Sequence, residues 1–209
     1  MGNHVIALGR QFGSGGREIG RKLGEALGFA YYDRELLTLA AKRAEVREEL
    51  LADKDEKAAN PWLFKGFYEG GPKVKQGQSA EDVLYDMQSE IILELAEKGD
   101  CIIVGRNADL ILAEHRPLKL FVYADLESRL RRCRERSSDD ERFTPRELEG
   151  KLRQVDQHRA RHHAMLSDLP WGRREGYHLC VNTTGLSLKT LAPLVAEYAR
   201  SWFSQQGPP

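Results

Sequence analysis

The run Gly9-Arg10-Gln11-Phe12-Gly13-Ser14-Gly15-Gly16-Arg17-Glu18-Ile19-Gly20 decides how the chain is read. A short apolar stretch, His4–Leu8, precedes it and an amphipathic one, Arg17–Leu27, follows, so it is a turn from a first strand into a helix. Glycines at such a turn let backbone N–H groups converge on an anion, and the helix N-terminus adds about half a unit of positive charge. The Gly13–Arg17 cluster has that shape. Neither strict phosphate-loop pattern is met. GxxxxGK[ST] needs Lys and Ser/Thr where Gly16-Arg17-Glu18 fall, and GxGxxG needs a glycine where Glu18 stands. Context therefore carries the reading, against the alternative of a tight turn with incidental glycines. Arg17 can supply the missing positive charge as a planar fork instead of a point charge. Ser14 can reach a phosphate, leaving Mg²⁺ without its usual hydroxyl at the helix start.

Outward from this turn, five brief apolar runs read as buried strands: His4–Leu8, Phe29–Tyr32, Cys101–Val104, Leu118–Tyr123 and His178–Val181. Helical spacing marks Arg17–Leu27, Arg34–Ala44, Ala80–Lys98, Leu126–Arg136, Pro145–Leu166 and Ser187–Phe203. The alternation implies an α/β protein whose parallel sheet is covered on both faces. Ser79 before Asp82 and Thr144-Pro145 before Glu147 read as helix starts, and Gly28 and Gly99 as left-handed helix ends. Ala44 to Gln78 carries Trp62, Phe64, Phe67 and Tyr68 between Pro61 and Gly70-Gly71-Pro72, and is either a substrate lid or a loop tucked against the sheet. Ser137 to Arg174 is a charged insert with a helix inside it.

The 209 residues suffice for one well-buried core with appendages. Thirty-two Lys+Arg balance 32 Asp+Glu, so the chain lacks the basic footprint of a nucleic-acid binder and any phosphate site must be local. No apolar run approaches the roughly 20 residues that span a bilayer, and the N-terminus lacks a secretory pattern, so no membrane partner and a cytoplasmic location are expected. Cys101, Cys133 and Cys180 form no CxxC or Cys/His cluster, and His162-His163 point in two directions on a helix, so no metal ligand set is expected.

Phosphoryl transfer requires cations aimed at the equatorial oxygens and two substrates held in line. Arg106 stands just beyond the strand Cys101–Val104, on the edge where open α/β sheets bind ligands, and is either a phosphate clamp or a surface salt bridge. Asp156 and Arg159 have the spacing of an ordinary i,i+3 ion pair, and Arg161 follows on the same helix. Arg129, Arg132 and Arg136 share one helix face, which reads as solvation. Asp33 is either a helix cap or a ligand contact.

Four segments in this order resemble the cytidylate kinase-like proteins, relatives of bacterial CMP kinase: Phe12 to Gly20, Val104-Gly105-Arg106-Asn107, Asp156-x-x-Arg159, and Val181-Asn182-Thr183-Thr184-Gly185-Leu186-Ser187. The resemblance spans nearly the whole chain. It implies a P-loop NTPase three-layer sandwich with a five-stranded parallel sheet of order 2-3-1-4-5. It also implies one domain over residues 1–209, with a helical monophosphate-binding insert at about 35–90 and a lid at about 137–174. The implied reaction moves the ATP γ-phosphate, with Mg²⁺, to CMP or dCMP. Gly13, Ser14, Gly15, Gly16, Arg17 and Glu18 would hold ATP. Asp33, Arg34, Arg106, Asp109 and Asp156 would meet the acceptor, and Arg17, Arg106, Arg159 and Arg161 would serve catalysis. Gly16 stands where the relatives carry their lysine, and Asn107 and Asn182 where they carry aspartates. Two other readings stay open: a nucleotide-binding protein with little or no transfer, and a kinase for another small acceptor.

Overall fold

The computed structural model describes residues 3–33, 80–136 and 143–206. Five parallel strands, β1 (Val5–Arg10), β2 (Ala30–Tyr32), β3 (Cys101–Val104), β4 (Leu118–Tyr123) and β5 (Leu179–Asn182), form one sheet in the order β2-β3-β1-β4-β5. Val5 registers with Cys101 on one side of β1, and Ile6 with Leu118 on the other. The order is the expected one, and all five strands lie within two residues of their predicted bounds.

Side chains on a strand alternate between faces, and the sheet is apolar on both because both are covered. Ile6 and Leu8 pack with Ile19 and Leu23 of α1 (Gly16–Leu27) and with Val195 and Ala199 of the last helix (Leu188–Gln205). Val5 and Ala7 face the opposite way, onto Ile91, Ile92 and Leu95 of α2 (Ala80–Lys98). The result is three layers around a parallel sheet. Cys101 belongs to the second core, and burial pushes its thiol up to about 12.

A short helix, α3 (Ala108–Ile111), and a 3₁₀ turn (Ala113–His115) lie between β3 and β4, where the sequence reading placed no element. They are too short to show periodicity. The chain continues through α4 (Leu126–Arg136), α5 (Pro145–Ala164), a 3₁₀ turn (Arg174–Gly176), β5 and α6 (Leu188–Gln205). Thr144 and Glu147 cap α5 reciprocally, as the spacing predicts. Gly28 closes α1 in the left-handed conformation. Gly99 does not adopt it. Asp100 bends the chain into β3 and accepts the His4 amide at 2.6 Å. The Ser79 cap, the helix expected over Arg34–Ala44 and the aromatic stretch Trp62–Tyr68 lie outside the described residues.

Candidate active site

The turn from β1 into α1 is built from left-handed glycines, Gly13 at φ 76° and Gly15 at φ 83°. Both are also sterically required, since a Cβ at 13 would lie 2.9 Å from the Arg129 carbonyl and one at 15 would lie 2.5 Å from Leu188. Gly15 caps α1 with no side chain, so the amides of the helix's first turn have no intrahelical acceptor and are available to an anion. Ser14 is fully buried; its hydroxyl donates to the Gln11 carbonyl at 2.8 Å, so its side chain shapes the turn from within.

Two supports hold this turn. From β5, the Thr183 hydroxyl donates to the Ser14 carbonyl at 2.8 Å, and Arg132 of α4 donates to the Thr183 hydroxyl at 3.1 Å. From α5, the Asp156 carboxylate accepts the Phe12 amide at 2.8 Å and pairs with both Arg129 and Arg159. Arg129 also donates to the Phe12 carbonyl at 2.7 Å, and Arg159 to the Arg10 carbonyl at 2.8 Å. Asp156 thus faces the turn and two guanidinium groups.

Above the turn is a cavity of about 360 Å³. Arg10, Arg17, Arg132, Arg136, Lys151 and Arg159 line it, and no Asp or Glu does so among the described residues. A second, smaller cavity of about 20 Å³ adjoins Gly105, Arg106, Asn107, Asp109, His162, Trp171 and Tyr177. Gly105, Arg106 and Asn107 are three successive left-handed residues, at φ 74°, 61° and 53°. For an arginine this conformation costs on the order of 1–2 kcal/mol. Such strain concentrates at sites where a side chain must be aimed. Arg106 reaches Gln88 of α2 at 3.5 Å.

The arginines are crowded. Burial, reinforced by repulsion from Arg10 and Arg17, lowers Arg106 to about 9. Burial likewise holds Arg159 well below the usual range and lowers Arg10. Asp33 and Asp156 offset this charge only in part, with Asp33 accepting from Arg10 at 3.3 Å and from Arg17 at 2.6 Å. A set of buried cations in partial excess over carboxylates is an environment for a polyanion.

The structure brings Gly13, Gly15, Gly16, Arg17 and Arg159 to the larger cavity, and Arg106 and Asp109 to the smaller one. Asp109 also pairs with the buried His163 at 3.4 Å. Glu18 lies beside the turn in an ion pair with Arg136 at 2.5 Å. Arg161 is exposed and lines neither cavity. Two residues along a helix turn the side chain by about 200°, so it cannot share the face of Arg159. Arg34 lies outside the described residues. Sequence reasoning missed Arg10, at the end of β1, and the roles of Arg129 and Arg132, whose i,i+3 spacing was the available signal.

Among solved structures, the chain is similar to an uncharacterized protein from Eubacterium ventriosum, at 23% identity and TM-score 0.67, covering 95% of this chain and 99% of that one. It is also similar to a gluconokinase from Sinorhizobium meliloti, at 14% identity and TM-score 0.53 over 97% of both chains. A shikimate kinase from Bacteroides thetaiotaomicron matches at 12% identity and TM-score 0.53, covering 94% and 98%. At these identities the likeness is one of fold, the P-loop kinase sandwich. No curated protein matches the chain in sequence. The family model described as the cytidylate kinase-like family matches residues 5–185, which include the glycine turn, Arg106, Asp156, Arg159 and Thr183, and the chain belongs to that family.

Proposed function

We propose that this protein transfers the terminal phosphoryl group of ATP to a nucleoside monophosphate, with CMP or dCMP as acceptor and CDP or dCDP as product. The observation that carries the reading is the cavity over the α1 N-terminus, lined by six cationic side chains and no carboxylate among the described residues. ATP supplies the phosphoryl group. The amides at the start of α1 and Gly13 cradle the donor's phosphates, while Arg17, Arg132 and Lys151 offset their charge. Arg106 and Asp109, at the second cavity, are assigned to the acceptor, and Arg159 lies between the two. A phosphate oxygen of the acceptor forms a bond to the γ-phosphorus as the bond to the bridging oxygen breaks, and the electron pair departs with ADP. The acceptor oxygen is already anionic at neutral pH, so no general base is required.

Such transfers commonly employ Mg²⁺. The carboxylates near the turn are engaged elsewhere: Asp33 by Arg10 and Arg17, Asp156 by Arg129 and Arg159, and Glu18 by Arg136. The described residues therefore do not offer a donor set for the ion, and no step is routed through it. The decisive experiment is ADP production from ATP with CMP, dCMP, UMP, AMP and GMP supplied separately. Turnover confined to the cytidine nucleotides supports the proposal, and turnover with none of the five rejects it. Glycine at 16 in place of lysine favours a second reading, nucleotide binding without transfer, for which ATP binding with no acceptor-dependent ADP would be the signature.

A further inference from the structure

Arg10 and Arg159 are the only described residues that line both cavities. Arg159 belongs to α5, whereas Arg10 is the last residue of β1, the central strand of the sheet. Two absent side chains make room for it. A Cβ at Gly16 would lie 2.6 Å from the Arg10 Cβ, and a Cβ at Gly105 would lie 1.8 Å from the Arg10 Nη1. The first of these positions is where the GxxxxGK[ST] pattern would place its lysine. A lysine at 16 would therefore meet the base of the Arg10 side chain, and the glycine there leaves that side chain room to run into the site.

Arg10 is 8% exposed, and its guanidinium is steered by Asp33, which accepts from its Nη2 at 3.3 Å. Its Nε has no hydrogen-bond partner among the described residues, and neither has the Nε of Arg159. A buried donor without an acceptor is costly unless a ligand supplies one. From the shared wall, the filled volume and the vacant donor, the geometry points to Arg10 as a phosphate-contacting cation between donor and acceptor cavities, taking the place of the lysine that the turn lacks. Asp33 is its positioning residue. The inference rests on the proposed donor role of the larger cavity.

The test uses inorganic tripolyphosphate, so that it does not depend on turnover. Calorimetric titration of the full chain is compared with that of Arg10→Gln, Arg10→Lys and Arg153→Gln, the last an exposed residue outside both cavities. Arg10→Gln should weaken binding by at least about tenfold, Arg10→Lys should recover part of the loss, and Arg153→Gln should bind as the parent does. In parallel, the Arg10 Nε–H resonance of the unaltered protein, assigned through its backbone, should shift on titration, which decides the matter if Arg10→Gln does not fold. An unmoved resonance at saturation, or a folded Arg10→Gln that binds like the parent, overturns the inference while leaving the donor reading intact. Failure of the unaltered protein to bind tripolyphosphate overturns both.

Discussion

The hydroxyl of Thr183 donates to the carbonyl of Ser14 at 2.8 Å, joining residues 169 apart in sequence at a point with no solvent exposure. This bond ties the end of β5 to the anion-binding turn, and Arg132 completes it by donating to the same hydroxyl. Thr183→Val keeps the shape and removes the donor. It should cost about 1–3 kcal/mol, because the Ser14 carbonyl is left underbonded in a buried site. For a chain of this size that is a fall of roughly 2–12 °C in melting temperature. Thermal unfolding of the variant, followed by circular dichroism, checks it, and an unchanged midpoint would show that the bond does not brace the turn.

Gly105 and Gly28 both have φ 74°, yet only Gly105 has neighbours where a Cβ would fall. Gly28→Ala should therefore lose about 1–2 kcal/mol of stability from backbone conformation alone and bind tripolyphosphate normally. Gly105→Ala should lose at least as much and also bind more weakly, because the new methyl displaces the Arg10 guanidinium. Melting curves and calorimetry on the pair separate the two effects. Equal binding by both variants would contradict the role given to the space at Gly105.

The sheet was legible because each strand is a short apolar run and each connection except that between β3 and β4 has helical spacing; the anion-binding turn was legible from the density of glycines after a first strand. Arg10 was not, because its importance lies in volumes left empty by Gly16 and Gly105, and residues 10 and 105 meet only after β1 pairs with β3. Arg132 read as a solvated charge, yet it is 8% exposed and bonded to Thr183, a partner 51 residues away. Arg159 and Arg161 were distinguishable in principle, since helical phase separates them. The left-handed run at Arg106-Asn107 carries no sequence signal beyond Gly105 and the tolerance of asparagine for that conformation.

Arg106 predicts a dependence on pH. Burial, and then Arg10 and Arg17, bring it down to about 9, below its unfolded value. The unfolded chain thus holds this proton more tightly, and the residue opposes folding of the ligand-free protein at neutral pH. Arg106→Gln should then melt higher than the parent at pH 7. As pH rises through about 9 the parent's residue sheds its charge, the opposition fades and the gap should narrow. Parallel melting curves from pH 7 to pH 10 test this, and a gap of constant size would reject it.

Asp156 provides the sharpest contrast between structure and ligand. Its carboxylate accepts the Phe12 amide and pairs with Arg129 and Arg159, and all three side chains are largely buried. Asp156→Asn retains the shape but leaves two buried guanidinium groups without their counter-ion, a change that costs about 3–5 kcal/mol when such a pair is broken. The melting temperature should fall by roughly 6–20 °C. If the cavity is built for a polyanion, tripolyphosphate supplies part of the missing negative charge to Arg159, which lines it. The rise in melting temperature on adding saturating tripolyphosphate should therefore be larger for Asp156→Asn than for the parent, since a ligand stabilises in proportion to its preference for the folded state. A smaller rise would mean that Arg159 is committed to Asp156 as a structural pair and does not meet the anion.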